Sequence, residues 1–289
     1  MNIIKRINKI EANNLNFINS IFMADNCFTT FEKKHIVYLE KYITEKFPNK
    51  RKHKYSNYYY LCNIYYILKT GIQWNMLNCE CHYTSIYKKY TEWVKLQVFK
   101  NVYNILLDEY LSKNIIKNTY IDSSHIKNVS GSDSIGRNHY DRFRNSTKIH
   151  LIIDDNRIPI NYAFTGGNVN DSKMTESLSK KLIKINKKDN RRIINLVGDK
   201  GYVNYKLQEK LQKEKVNLYT PLKKNNKKIK NKDAYMKQYN KFNRISIENM
   251  FCRLDKFKRI QLRYEKKIIN LEGFHLLAFI QIIYNYNHK

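Results

Sequence analysis

The spacing of apolar residues changes close to Asn118, and this change divides the chain into two structural classes. Before it, between residues 58 and 111, apolar side chains recur every three or four positions, which is typical of helices. After it, short alternating or continuous apolar runs indicate strands. The sequence therefore predicts a small all-α domain over residues 1–115 and a second domain over residues 116–289.

The N-terminal domain is predicted to contain three helices, at residues 58–69, 84–93 and 94–111. The first ends at Gly71, a natural helix stop. Lys88 and Lys89 project from the middle helix, and three short helices with a basic middle one indicate a helix-turn-helix-like DNA-binding unit. An ordinary helical bundle with solvated lysines fits the same pattern, so both interpretations stay open.

The second domain alternates between predicted strands and helices. The predicted strands lie at 119–123, 148–154, 158–165, 193–197 and 216–220, and the helices at 171–188, 204–215, 243–264 and 271–286. Three strands followed by alternating helices and strands predict an α/β sheet covered by helices. Segments 128–146 and 222–241 are rich in Arg, Lys, Asn, Gly or Ser, and we expect exposed basic loops that become ordered on DNA.

The charge balance narrows the choice of partner. Lys and Arg number 54 against 25 Asp and Glu, a formal net charge of +29. A polyanion neutralises such self-repulsion and releases counterions, so nucleic acid is the favoured partner. An A/T-rich gene would also raise the lysine content without a function. A membrane is disfavoured because the basic residues are spread along the whole chain.

Cysteines and apolar runs indicate the compartment. Five cysteines, an odd number, form no secreted-type disulfide framework. The run from Cys79 to His82 resembles a zinc half-site, but it lacks a second pair at finger spacing, so thiols are favoured. The N-terminus has no signal-peptide run, and the apolar stretch 274–284 is too short to span a bilayer. We expect a soluble intracellular protein, cytoplasmic or nucleoid-associated, or nuclear in a eukaryotic host.

Three acidic residues occupy informative places in the second domain. Asp122 lies within the first strand, Asp199 directly follows the apolar strand 193–197, and Glu248 lies on a helix. A carboxylate in or beside a buried strand is costly unless something compensates it. Each one alone is more simply a helix cap or a turn former. Converging, the three would hold two Mg²⁺ ions about 3.5–4 Å apart for phosphodiester chemistry.

Helical spacing supports Glu248. Ile247 and Met250 belong to an apolar stripe that would pack on the sheet, and Glu248 runs beside it. Arg244 and Arg259 lie on the same side at steps of three and four, so we predict that they flank the site and hold DNA phosphates. The alternative is a surface Arg–Glu pair.

The three acids belong to short sequence blocks that follow one another along the chain. The blocks are Leu68-Lys69-Thr70-Gly71-Ile72-Gln73-Trp74, Asp122-Ser123-Ser124-His125-Ile126-Lys127, Gly136-Arg137 with Thr147-Lys148-Ile149-His150, Gly167-Asn168-Val169-Asn170-Asp171-Ser172, Asp199-Lys200-Gly201-Tyr202, Pro221-Leu222-Lys223-Lys224-Asn225, and Arg244 four residues before Glu248. They resemble the successive blocks of bacterial insertion-sequence transposases of the DDE type. The resemblance covers roughly residues 55–285, and the order and spacing of the blocks make it specific.

The resemblance implies a ribonuclease H-like mixed sheet with two Mg²⁺ or Mn²⁺ ions held by Asp122, Asp199 and Glu248, the predicted catalytic and metal-binding residues. It implies binding to double-stranded DNA at terminal inverted repeats and at a target, strand cleavage by water, strand transfer by the freed 3′-OH, and a homodimer on DNA. Arg244 matches the family's arginine. The other basic residues predicted to contact DNA are Lys88, Lys89, Lys148, Lys200, Lys223, Lys224, Lys256 and Arg259.

Two departures from the family pattern concern activity. Lys241 stands where the family usually has Tyr, and Asp255 where it usually has Lys. Lys256, one residue on, is rotated by about 100° around a helix, so Arg259 is the predicted replacement. These changes keep two alternatives open: a domesticated or inactive DNA-binding relative, and a simple metal-dependent DNA endonuclease.

Overall fold

The computed structural model describes residues 30–48, 54–139, 141–188, 193–222, 229 and 231–288. It divides the chain into two compact units, with the division between Val98 and Phe99. This is earlier than the boundary predicted after residue 115, because the intervening helix packs within the second unit. Each unit is described in turn.

The described part of the first unit consists of helices α1 (Thr30–Lys46), α2 (Asn57–Thr70) and α3 (Tyr83–Lys95), with a 3₁₀ turn at Trp74–Met76. Ser56 caps α2 by accepting the Tyr59 N–H at 3.1 Å. Gly71 ends it in a left-handed conformation (φ 72°) that glycine adopts without strain. Helix α2 packs against both α1 and α3, and its core side chains Leu61, Ile64 and Leu68 are fully buried.

Helix α4 (Val98–Lys113) belongs to the second unit from its second residue onward. Its Tyr103 hydroxyl lies 3.0 Å from the carbonyl oxygens of both Pro159 and Ile160. A mixed sheet follows. Its strands among the described residues are β1 (Asn118–Asn128), β2 (Gly136–Arg137), β3 (Asn145–Asp154), β4 (Pro159–Gly166), β5 (Ile194–Val197), β6 (Val216–Tyr219) and β7 (Leu262–Arg263).

Strand β1 lies at the centre of this sheet. It pairs antiparallel with β3 and parallel with β5, which in turn pairs parallel with β6. Strand β4 pairs with β3, and the short β7 extends along the far end of β1. Leu151, Ile153 and Leu196 are fully buried, because the sheet is covered by helices.

The helices of the second unit are α4, α5 (Asp171–Lys188), α6 (Tyr205–Lys213), α7 (Lys232–Tyr239), α8 (Ile245–Leu254), α9 (Lys258–Gln261) and α10 (Ile268–Asn287). Helix α10 is long and apolar enough to cross a membrane by length and composition, but most of it is buried inside the protein. It contacts β4 and carries the buried Phe274, Leu277 and Phe279. It is therefore a core helix of this unit.

The structure corrects two predictions of secondary structure. The single helix predicted at 243–264 is interrupted: α8 ends at Leu254, and the extended backbone of Phe257 (ψ 93°) starts a new direction before α9 and β7. The segment predicted as a loop at 222–241 contains α7, which begins where the Asn231 side chain accepts the Ala234 N–H at 3.0 Å. At the start of α7, local side-chain capping prevails over composition.

Residues 128–146, the other predicted loop, hold a short strand and a well-anchored turn. Strand β2 pairs with β3, and the guanidinium of Arg263 binds the Asp133 carboxylate. Arg263 also donates to the Thr147 hydroxyl at 2.5 Å. Because Arg263 is fully buried, these bonds connect the segment to the end of the sheet without DNA.

Candidate active site

Asp122 and Asp199 are neighbours because two parallel strands place them in register. Tyr120 of β1 pairs with Val197 of β5. Each aspartate lies two residues beyond this pair on its own chain segment. Successive residues of parallel strands advance together, so Asp122, in the middle of β1, lies beside Asp199 at the edge where β5 ends.

A glycine allows this close approach. A Cβ atom added to Gly198 would lie 2.9 Å from Cβ of Tyr202 and 3.1 Å from Cγ2 of Ile121, which is closer than carbon atoms normally pack. Asp199 then turns the chain: its carboxylate accepts the Gly201 N–H at 2.8 Å and caps the 3₁₀ turn Lys200–Tyr202. The strand end and the turn together direct the Asp199 side chain.

Arg244 reaches this edge from the start of α8. Its Nη1 lies 3.5 Å from the Tyr239 hydroxyl, which donates to the Gly198 carbonyl oxygen at 3.2 Å. Its Nε–H is buried and has no hydrogen-bond acceptor among the described residues. Tyr239 thus places a hydroxyl beside Arg244. It stands two positions before Lys241, which occupies the place of the family's usual tyrosine.

The electrostatics of Asp122 reflect this environment. Burial raises the pKa of its carboxyl from 3.8 to about 6. The charges of Asp199 and Asp171 raise the pKa further, whereas the Ser123 N–H, at 2.8 Å from Oδ1, and the Arg244 charge lower it. Ionising the partly buried Asp122 carboxyl costs free energy, and a bound cation would offset that cost. The ionised carboxylate is therefore a good ligand for a cation.

Glu248, the third predicted acid, is not gathered with the other two. It is exposed in the first turn of α8, a helix that contacts β1. Over the part of the chain that the structure describes, no three His, Cys, Asp or Glu side chains are grouped to hold a metal ion. The convergence of the complete triad therefore stays a prediction, and the structure brings together two of its members.

Asp171 is a further acid at the site, which sequence reasoning missed. It begins α5, and its Oδ1 accepts the Ser123 hydroxyl at 2.8 Å and the Lys148 ammonium at 3.0 Å. An acidic residue in the first turn of a helix is usually explained by the helix dipole. Its position in a block shared with transposases was the available signal.

Two basic residues predicted to contact DNA are buried instead. The Lys148 ammonium donates to Asp171 and, at 3.0 Å, to the Val169 carbonyl oxygen, and only 7% of the side chain is exposed. Arg259 lies on α9 rather than on the helix of Glu248, and its Nη2 binds Glu265 at 2.5 Å with both side chains buried. The interruption after Leu254 moves Arg259 away from the predicted face, so neither Lys148 nor Arg259 has the exposed position that its predicted phosphate contact needs.

The remaining predicted DNA contacts differ in exposure. Lys88, Lys200 and Lys256 are exposed. Lys89 is half-buried, pairs with Glu92 at 3.1 Å and covers the Trp93 ring. Lys223 and Lys224 lie outside the described residues.

Comparison with known proteins identifies the class of the chain. The family described as "Transposase DDE domain" matches residues 117–283, more than half of the chain. The chain therefore belongs to the DDE transposase family of enzymes. No curated protein matches the sequence.

A solved structure agrees with this fold. The chain is similar to the piggyBac transposase synaptic complex with hairpin DNA, with a TM-score of 0.52 and 10% identity over 92% of this chain and 73% of that chain. The catalytic domain of Mos1 mariner transposase is matched at a TM-score of 0.28 and 14% identity, over 64% of this chain and 88% of that chain, a similarity too weak to define a common fold. The predicted ribonuclease H-like α/β fold is confirmed.

Proposed function

We propose that this chain is a transposase that binds the ends of a DNA element and catalyses strand cleavage and strand transfer with two divalent ions, Mg²⁺ or Mn²⁺. The observation that carries the proposal is the proximity of Asp122, within β1, to Asp199, which directly follows the adjacent parallel strand β5. Carboxylate oxygens are the ligands that Mg²⁺ and Mn²⁺ prefer, so this pair fits such ions.

The residues of the site would divide the work as follows. Asp122, Asp199 and Glu248 would hold the ions, which when bound supply Lewis acidity for hydrolysis and transesterification of a phosphodiester. Glu248 is exposed and thus free of packing constraints that would prevent its side chain from turning toward the pair. Arg244, with its buried Nε–H and its position beside Asp122, would bind a phosphate oxygen of the DNA.

The DNA partner follows from the charge and the exposed lysines. A net charge of +29 favours a polyanion, and Lys200 and Lys256 are exposed on the unit that carries the site. In the first unit, exposed Lys88 on α3 supports a helix-turn-helix-like role in binding the element's terminal inverted repeats. The same proposal includes a homodimer bound to DNA. This homodimer would act on chromosomal DNA in the cytoplasm or in the nucleus.

The test is cleavage and joining of DNA that carries the inverted repeats flanking the gene. The wild-type protein with Mg²⁺ should nick this DNA and join its ends to a target plasmid, and EDTA should stop both reactions. Asp199→Asn should reduce the rate at least about 100-fold because a metal-binding carboxylate is lost. Asp233→Asn, an exposed aspartate in the first turn of α7, is the matched control and should retain full rate.

Each outcome discriminates between functions. Nicking that persists in Asp199→Asn would refute the assigned site. Nicking without joining would indicate a simple endonuclease. Binding of the repeats by a wild-type protein that never cuts would indicate an inactive DNA-binding relative, which the departures at Lys241 and Asp255 favour.

A further inference from the structure

A buried lysine lies within the sheet close to the aspartate pair. Lys148 of β3 is buried, and Asp171 is the carboxylate that neutralises it among the described residues, at 3.0 Å. His150, two residues along β3, places Nδ1 at 3.6 Å from the same Asp171 oxygen. A buried ammonium that lacked this partner would be strongly unfavourable. The pair is therefore a fixed internal element rather than a solvated surface contact.

Ser123 connects this pair to Asp122. Its hydroxyl donates to Asp171 Oδ1 at 2.8 Å, and its backbone N–H donates to Asp122 Oδ1 at 2.8 Å. Adjacent residues of a strand point to opposite faces, so Ser123 faces His150, its partner on β3, while Asp122 faces the other way. A single residue thus carries bonds to both carboxylates, and the position of Asp171 limits the freedom of Ser123.

Asp171 also lies beside the turn that orients Asp199. A Cβ atom added to Gly201 would be 3.1 Å from Asp199 Oδ1 and 3.8 Å from Asp171 Oδ2. Gly201, whose N–H binds Asp199, therefore lies close to both acids. Asp171, at the start of α5, therefore lies next to a neighbour of each aspartate. These neighbours are Ser123 beside Asp122 and Gly201 beside Asp199.

From this geometry we infer that Asp171 is a positioning residue of the active site: held by Lys148, it fixes Ser123 and thereby sets the orientation of the Asp122 carboxylate against Asp199. The inference rests on the proposed function, since it concerns the same metal-binding pair. It assigns Lys148 an internal role in place of a DNA contact. Residues that orient metal-binding side chains typically change metal affinity by about 10- to 100-fold when replaced.

The experiment measures Mn²⁺ binding to the full chain without DNA, by the loss of the free Mn²⁺ signal in electron paramagnetic resonance. Asp171→Asn alone leaves Lys148 buried without a counter-charge and is expected to lower the melting temperature. The double variant Asp171→Asn/Lys148→Met removes both charges and should melt close to wild type. It should nevertheless bind Mn²⁺ about 10-fold more weakly and need about 10-fold more Mg²⁺ for half-maximal cleavage.

Ser123→Ala separates the connection from the charge pair. It keeps Lys148 and Asp171 intact and should leave the melting temperature unchanged, yet weaken Mn²⁺ binding several-fold. Wild-type Mn²⁺ affinity in both the double variant and Ser123→Ala would overturn the inference, while Asp122→Asn and Asp199→Asn would still abolish binding. If wild type itself shows no Mn²⁺ binding that depends on Asp122 and Asp199, the proposed function fails and this inference falls with it.

Discussion

Replacing Asp122 with Asn should stabilise the metal-free protein while it removes activity. Burial raises the pKa of Asp122 from 3.8 to about 6. At about 1.4 kcal/mol per unit, the ionised carboxylate costs the folded state at most about 3 kcal/mol at pH 7.5. Because the side chain is partly exposed, solvent screening reduces this to about 1–2 kcal/mol. Asn removes the charge and can still accept the Ser123 N–H.

The measurement is thermal unfolding in EDTA, followed by circular dichroism. Asp122→Asn should melt about 2–8 °C above wild type at pH 7.5. A raised carboxyl pKa means that the folded state retains a proton that the unfolded state has lost, so the cost of Asp122 appears as pH rises from about 4 to 6. The advantage of the variant should therefore vanish toward pH 4. Mg²⁺ should stabilise wild type more than the variant.

Asp154→Asn is the matched control with the opposite sign. Burial also raises the pKa of Asp154 to about 6, but this carboxylate accepts the Tyr110 hydroxyl and, at 2.9 Å, the Ile158 N–H. Asn cannot accept both, so the variant should lose about 1–3 kcal/mol. The reasoning is refuted if Asp122→Asn melts below wild type in EDTA, or if its advantage is the same at pH 4 and pH 7.5.

Three further predictions concern other parts of the molecule. Arg259→Met should lower the free energy of unfolding in urea by about 3–5 kcal/mol because buried Glu265 loses its partner, and adding Glu265→Leu should restore most of it; a loss below about 1 kcal/mol would contradict this. The buried ring of His275 has its pKa lowered from 6.5 to about 4, so the unfolded chain binds a proton that the folded one does not, and stability should fall as pH drops from about 6.5 to 4. His275→Gln should show a smaller decrease in urea titrations, and an equal decrease would exclude His275 as the cause. Lys88→Ala should reduce the salt dependence of DNA binding by about one unit of log–log slope, measured by fluorescence anisotropy, and an unchanged slope would place Lys88 away from the phosphates.

Much of the second unit followed from local patterns. Alternating and continuous apolar runs predicted β3, β5 and β6 to within a few residues, because a strand with a buried face needs those residues wherever it occurs. Asp122 and Asp199 were likewise recognisable from the sequence, because a carboxylate within or directly after an apolar strand costs free energy unless a partner or ligand compensates its charge.

The breaks in regular structure were less predictable. The stripe of apolar residues continues past Leu254 into Phe257 and Ile260, so periodicity alone predicts one helix through α8 and α9. The chain turns there, and Arg259 binds Glu265 and lies over the rings of Tyr264 and Phe274, contacts that helical periodicity does not include. Propensity describes a segment by itself and contains no information about its neighbours in space.

By itself, the sequence determined the class of fold, the position of the change from helices to strands, and the two aspartates that the sheet places together. Only the tertiary structure decided which charged groups are internal. Lys148 and Arg259 are basic residues at positions that suggest DNA contact, yet each is buried against a carboxylate. Lys148 binds Asp171, which comes from another element, and Arg259 binds the buried Glu265. The cost of burying an unpaired charge makes such pairings obligatory, and the partner is known only when the chain is folded.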